Sequence, residues 1–247
     1  MLKFNWKIVL GIVLLFLSAL CYFVHYLLFK DSHHIFVYLV GDVAFVFVEV
    51  LLVTLIIHNL LEIREKKSRL NKMNMVIGAF FSEVGVKLLR QLSNYDPLSE
   101  KMHEAVSNEE DSAEDKFKNI REFLRSYEYE VAKEKIDLET LKDFLLSKRG
   151  FMLRLLENPI LLEHEAFSSM LWAVFHLAEE LEARDKIGEL PESDHKHLVN
   201  DTKRVYGQLT VQWLNYMRHL RKSYPFLFSL SVRQNPFDKN ANPVITE

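Results

Sequence analysis

An all-α chain is predicted, with an N-terminal two-helix transmembrane hairpin and a long stalk helix leading into a cytoplasmic helical bundle. Three observations predict it. Two apolar runs, Ile8–Phe29 and Ile35–Ile57, are each long enough for the roughly 20 residues that a bilayer-spanning helix needs. Long stretches beyond them repeat apolar residues at three-and-four spacing, the signature of amphipathic helices. Only 7 glycines occur in 247 residues, too few for the many tight turns of a β fold.

Within residues 8–57 the charged side chains are Lys30, Asp31, Asp42 and Glu49. The first run stays apolar past Cys21 to Phe29, longer than a signal core of about 7–15 residues. Ser18-Ala19-Leu20 ahead of Cys21 also lacks the small residue expected before a lipidated cysteine, so the run reads as an uncleaved anchor. Lys3 and Lys7 precede the first span, and Arg64, Lys66, Lys67, Arg69 and Lys72 follow the second, whereas the loop offers Lys30 alone. Cationic residues stay on the cytoplasmic side, so both termini are expected there, in the cell membrane. The basic patch also suits contact with anionic lipid.

The predicted organisation is a hairpin over 1–57, with spans near 8–29 and 35–57. A stalk helix over 58–93 follows, then an acidic loop and weak helix over 94–136. A helical bundle over 137–224 and a C-terminal tail over 225–247 complete the chain. In the stalk, Met73, Val76, Ile77, Phe80, Phe81, Val84, Leu88 and Leu92 form one apolar face. Gly78, Ser82 and Gly85 run beside it and predict a seam for a closely packed second helix. Asn94-Tyr95-Asp96-Pro97 breaks this helix. Residues 99–116, including EEDSAED, read as a loop or weakly ordered helix, and a modest helix around Phe117, Ile120, Phe123 and Leu124 is expected to continue through YEYEVAKEK. Asp137 is placed to cap a helix whose inward residues include Leu141, Leu145 and Met152, with Gly150 as a weak point. Asn158-Pro159 ends it. Further helices are expected over about 161–185, and from Pro191 to Ser223 before Tyr224-Pro225. Trp172, Phe175, Tyr206, Trp213, Tyr216 and Tyr224 are read as core.

Candidate chemistry lies in two places. Asp42 and Glu49 are seven apart in the second span, as are Ser18 and His25 in the first. One antiparallel register would pair His25 with Asp42 and Ser18 with a neutral, hydrogen-bond-donating Glu49. A charge at this depth costs about 2.5–3.5 kcal/mol on insertion scales, so partners are expected. Packing glue for the hairpin or its oligomer is favoured over a proton or ion path. The second place is His176 and Glu180, one turn apart, facing Asp194, His197 and Asp201 on the next helix. Imidazoles and carboxylates from facing helices can hold a divalent metal, but these residues do not reproduce the Glu-x-x-His repeat of di-metal bundles, and ordinary pairing of Glu180 with Arg184 explains the charges.

A net charge of −3 and the lack of a phosphate-binding loop or nucleophile elbow argue against a nucleic-acid partner and against the common enzyme classes. One cysteine excludes an intrachain disulfide. No cofactor is predicted. The expected role is a membrane-anchored interaction, scaffold or signalling module whose partners are membrane lipid and either its own copies or another protein. The alternatives are a membrane-tethered metal enzyme and an oligomeric channel or proton-coupled component.

Overall fold

A computed structural model describes residues 6–107 and 113–245, so part of the acidic EEDSAED stretch lies outside the described residues. Among the described residues every element is helical. Two compact units divide between Lys66 and Lys67.

In the first unit, α1 spans Trp6–Phe29 and α2 begins at Ser32, running as one helix to Phe80. The turn between them is built from two local devices. Lys30 takes a left-handed φ of 50° and its amide donates to Tyr26 O at 2.8 Å, closing α1. Asp31 Oδ1 then accepts from the amides of His33 and His34 at 2.9 and 3.2 Å, capping α2. Both helices contain a window long and apolar enough to cross a membrane, and none of either window is buried.

The second unit begins inside α2. A five-residue π turn, Phe81–Gly85, interrupts the ladder before α3, Val86–Tyr95. Helical backbone thus runs without a gap from Ser32 to Tyr95, through the stretch expected as a stalk, with a π turn in its ladder. A π turn inserts an extra residue and rotates the faces on either side of it, letting neighbouring Phe80 and Phe81 both be fully buried. Phe80 meets Phe167 edge-on at 5.4 Å, while Phe81 stacks on Tyr216 at 4.9 Å.

Short helices α4, Ser99–Ser107, and α5, Ala113–Ser126, follow. The helix expected through YEYEVAKEK is absent: residues 127–132 form neither helix nor strand. Their Tyr-x-Tyr-x-Val alternation half-buries Tyr127 and Tyr129 and buries Val131, as a period of two does in extended chain. Ala132 N donates to Tyr95 O at 2.9 Å, tying this segment to the end of α3.

The core is built by α6, Leu138–Leu156, α8, Glu165–Glu182, and α9, Glu192–Ser223. α8 is central, packed on one side by α6 and on the other by α9. It fully buries Phe167, Met170, Val174, Leu177, Ala178 and Leu181. Asp137 caps α6 as expected, accepting from Thr140 N at 2.9 Å and from the Thr140 hydroxyl at 2.6 Å. The helix expected from about 161 is two elements. A single turn, α7 (Pro159–Leu162), is capped by Asn158, and α8 starts afresh where His164 Nδ1 accepts from Phe167 N at 3.0 Å. Trp172 also departs from expectation: it is 54% exposed.

The segment after Tyr224-Pro225 is α10, Pro225–Arg233, packed on α9. Beyond it Phe237 is buried edge-on against Trp213 at 5.3 Å, so part of the expected tail belongs to the core.

Gly150 does not end α6, and a Cβ there would meet only Arg154 Nη1 at 3.9 Å. Gly150→Ala is expected to stabilise the domain by about 0.5–1 kcal/mol, read as a higher urea midpoint. A lower midpoint would show that this position needs glycine.

Candidate functional site

The α8–α9 corner gathers the densest set of titratable groups in the second unit. A 3₁₀ turn, Ile187–Glu189, reverses the chain, so α8 and α9 lie antiparallel with their charged faces together. One turn separates His176 from Glu180, and one turn separates His197 from Asp201. The two pairs meet across the seam. His176 Nε2 is 3.7 Å from Glu180 Oε1 and 3.5 Å from Asp201 Oδ2. His197 Nε2 is 3.6 Å from Glu180 Oε2 and 3.8 Å from Asp201 Oδ2. These contacts are ion pairs only when the imidazoles are protonated. Asp201 is 5% exposed, and its Oδ2 accepts no hydrogen bond.

Two arginines complete the corner. Arg184 grips Asp194 through Nε and Nη2, both at 2.7 Å, and its Nη1 reaches Glu180 Oε2 at 2.8 Å. Nη1 also donates to the Glu180 carbonyl, closing the α8 C-terminus. Arg204 Nη2 lies 3.0 Å from Asp201 Oδ1. The predicted residues thus converge, but Asp194 gives both oxygens to Arg184. Among the described residues no group of three or more His, Cys, Asp and Glu side chains is placed to hold a metal ion. The arrangement is suited to clamping α8 to α9.

Hydrogen bonding from Arg184 is the largest cause holding Asp194 below its ordinary 3.8 and Glu180 below its ordinary 4.5. The hydrogen bond to Asp194 is in turn the largest cause raising Arg184. A carboxyl group depressed in the folded state stabilises above its unfolded pKa, and the gain fades as pH falls through the folded value. Arg184→Met is therefore expected to lower the urea midpoint by a constant amount above about pH 5, with the gap to the parent closing below about pH 4. A gap as wide at pH 3 as at pH 7 would mean that packing, not charge, explains Arg184.

The hairpin polar groups lie in the first unit, in a register different from the one expected. His25 stacks on His34, with ring centroids 5.9 Å apart and planes 10° from parallel. Asp42 is eight residues, about two turns, further along α2, so His25 does not face Asp42. Asp42 instead lines a cavity of about 490 Å³ with Ser18, Cys21, Tyr22, His25 and Tyr38. Turn geometry decides this: Lys30 and Asp31 close the hairpin within two residues, and a turn that tight leaves no slack for the larger offset.

The small-residue stripe divides. A Cβ on Gly78 would lie 3.5 Å from the Tyr216 ring of α9, so Gly78 does form a seam. Ser82 is exposed, and Gly85 is buried against Phe80 and Phe81.

A buried network escaped sequence reasoning. Asp96, 1% exposed, accepts from Leu98 N at 2.8 Å and from the Tyr127 hydroxyl at 2.5 Å. Burial, then the hydrogen bond to Asp96, raises Tyr127, and burial pushes Tyr129 up to about 12. The usable signal was the Tyr-x-Tyr alternation.

Two family models cover nearly the whole chain. One, described as "Uncharacterized protein MJ1433, C-terminal helical domain", matches residues 69–233, and "MJ1433, N-terminal helical domain" matches residues 2–61. The chain belongs to the MJ1433 family. A relative from Methanocaldococcus jannaschii, named "Uncharacterized protein MJ1433", is 45% identical over 243 residues, covering 98% of this chain and 97% of that protein. No solved structure matches. The interval between the two family domains contains the boundary between the two compact units.

Proposed function

We propose that this chain is a membrane-anchored helical interaction or scaffold module. Its hairpin lies in the bilayer of the cell membrane, and its C-terminal helical domain lies on the cytoplasmic side. One observation carries the reading: no residue of α1, and none of α2 before Met73, is buried. A core helix hides at least one stripe, but here large apolar side chains face outward all round, among them Leu15, Phe16 and Phe47 at 70–76% exposure. Helices apolar on every face need an apolar surrounding, and the protein supplies none.

Orientation follows from Lys7 in the first turn of α1 and the Arg64–Lys72 cluster after the second run, against Lys30 in the turn. The match of one family domain to residues 2–61 supports the first helix as a lasting part of the hairpin.

Alkaline carbonate washing of membranes from expressing cells tests the anchor, and protease accessibility of a C-terminal tag in sealed vesicles tests the orientation. Retention in the pellet, with the tag cleaved only in inside-out vesicles, is expected. Release into the supernatant would sink the anchor.

A further inference from the structure

We propose that a second copy of this chain completes the hairpin within the bilayer, with Glu49 of each copy hydrogen-bonded to Glu49 of the other. The proposal rests on the membrane reading above and names the partner that reading leaves open.

Glu49 is left uncovered by its own chain. Ser18 and Asp42 line one cavity and so lie near one level of the hairpin. Seven residues further from the turn on each helix stand Gly11 and Glu49. Gly11 brings no side chain, and a Cβ there would have nothing within 4 Å. Among the described residues no hydrogen bond or ion pair reaches Glu49, and it is exposed.

The spacing says what kind of surface this is. Ile35, Asp42, Glu49 and Ile56 recur every seven residues on α2, with Tyr38, Phe45 and Leu52 between them. The first half of that repeat, Ile35, Tyr38 and Asp42, lines the cavity shared with α1, and Glu49 continues the same face one heptad on, where a polar side chain can fix register and partner. Both carboxylates occupy the same position of the repeat.

Chemistry and symmetry together point to an identical partner. A neutral carboxyl group both donates and accepts, so it is complementary to itself. Copies inserted with the same topology are related by a two-fold axis along the membrane normal. That axis brings each residue to its own counterpart at the same depth, as a closed isologous dimer requires. A different protein would need its own polar group at that depth.

The test uses the full chain in phosphatidylcholine/phosphatidylglycerol vesicles, with donor and acceptor dyes on an N-terminal tag and energy transfer read against protein-to-lipid ratio. Wild type is expected to dimerise, Glu49→Leu to dimerise about tenfold more weakly, and Glu49→Gln, whose amide is also self-complementary, to stay within about threefold of wild type. Circular dichroism and flotation on a density gradient confirm that each variant is helical and inserted. Unchanged dimerisation of Glu49→Leu, equal loss in both variants, or a wild type that floats with vesicles as a monomer would overturn the proposal while leaving the anchor intact. Failure of the wild type to float would remove the anchor, and the proposal with it.

Discussion

Asp96→Ala is expected to lower the unfolding free energy of the C-terminal domain by about 3 kcal/mol. The carboxylate is 1% exposed and takes one hydrogen bond from the Leu98 amide and one from the Tyr127 hydroxyl. Hydrogen bonds to a charged group are worth about 1.5–3 kcal/mol each, and removing the acceptor leaves both half-buried donors without it. The loss also frees the two segments that Asp96 joins, the end of α3 and the 127–132 segment. Tyr127→Phe keeps the ring but strands the carboxylate, so it is expected to cost nearly as much. Replacing both partners leaves no stranded oxygen between them, and the double variant should be less destabilised than the two single losses added together. Urea unfolding followed by Trp172 and Trp213 fluorescence, in a Trp6→Phe background, reads all three. A loss below about 1 kcal/mol for Asp96→Ala would show that water reaches this carboxylate.

This network also marks where sequence reasoning stops. Asp96 lies in Asn94-Tyr95-Asp96-Pro97, and its local chemistry was legible: a short acceptor before proline ends a helix. Its long-range partner was not. Nothing in a linear pattern says that a carboxylate ending one helix will be buried under a tyrosine 31 residues later. The tyrosine segment itself carried a readable sign, because Tyr127, Tyr129 and Val131 alternate with charged residues, and period two belongs to extended chain. Helix propensity in YEYEVAKEK pulled the other way, and packing against the end of α3 prevailed over it.

Caps and long apolar stripes were legible for the opposite reason, since their causes are local. Asp137 needs only the amide three residues ahead, and the Leu141, Leu145, Met152 stripe needs only a helix and any apolar surface. The convergence of His176 and Glu180 with His197 and Asp201 followed from a short connection that forces α8 and α9 antiparallel. What that convergence does was decided by Arg184, which the sequence offered only as a neighbour of Glu180; its bidentate grip on Asp194 fixes the corner as a clamp. The hairpin register depended on a left-handed residue at Lys30, a detail of two backbone angles that side-chain spacing does not encode.

Phe81→Ala is expected to cost about 3–5 kcal/mol, the usual loss for truncating a buried phenylalanine. Phe81 is fully buried and stacks on Tyr216 with the rings 12° from parallel, so the cavity would open between the π turn and α9. Gly85 makes a sharper test of why the turn is there. A Cβ on Gly85 would collide with the Phe81 ring and approach Phe80 Cε1 to 3.0 Å, so Gly85→Ala alone is expected to cost about 1–3 kcal/mol. If the ring is what demands glycine, removing it relieves part of the collision, and Phe81→Ala/Gly85→Ala should lose less than the sum of the single variants. If instead the two losses add, Gly85 serves the widened backbone itself, whose Val86 amide reaches back to Phe81 O. The first outcome is expected. Gly85 takes an ordinary helical φ of −60° and ψ of −46°, which alanine adopts freely, so the demand for a missing Cβ comes from the neighbouring rings.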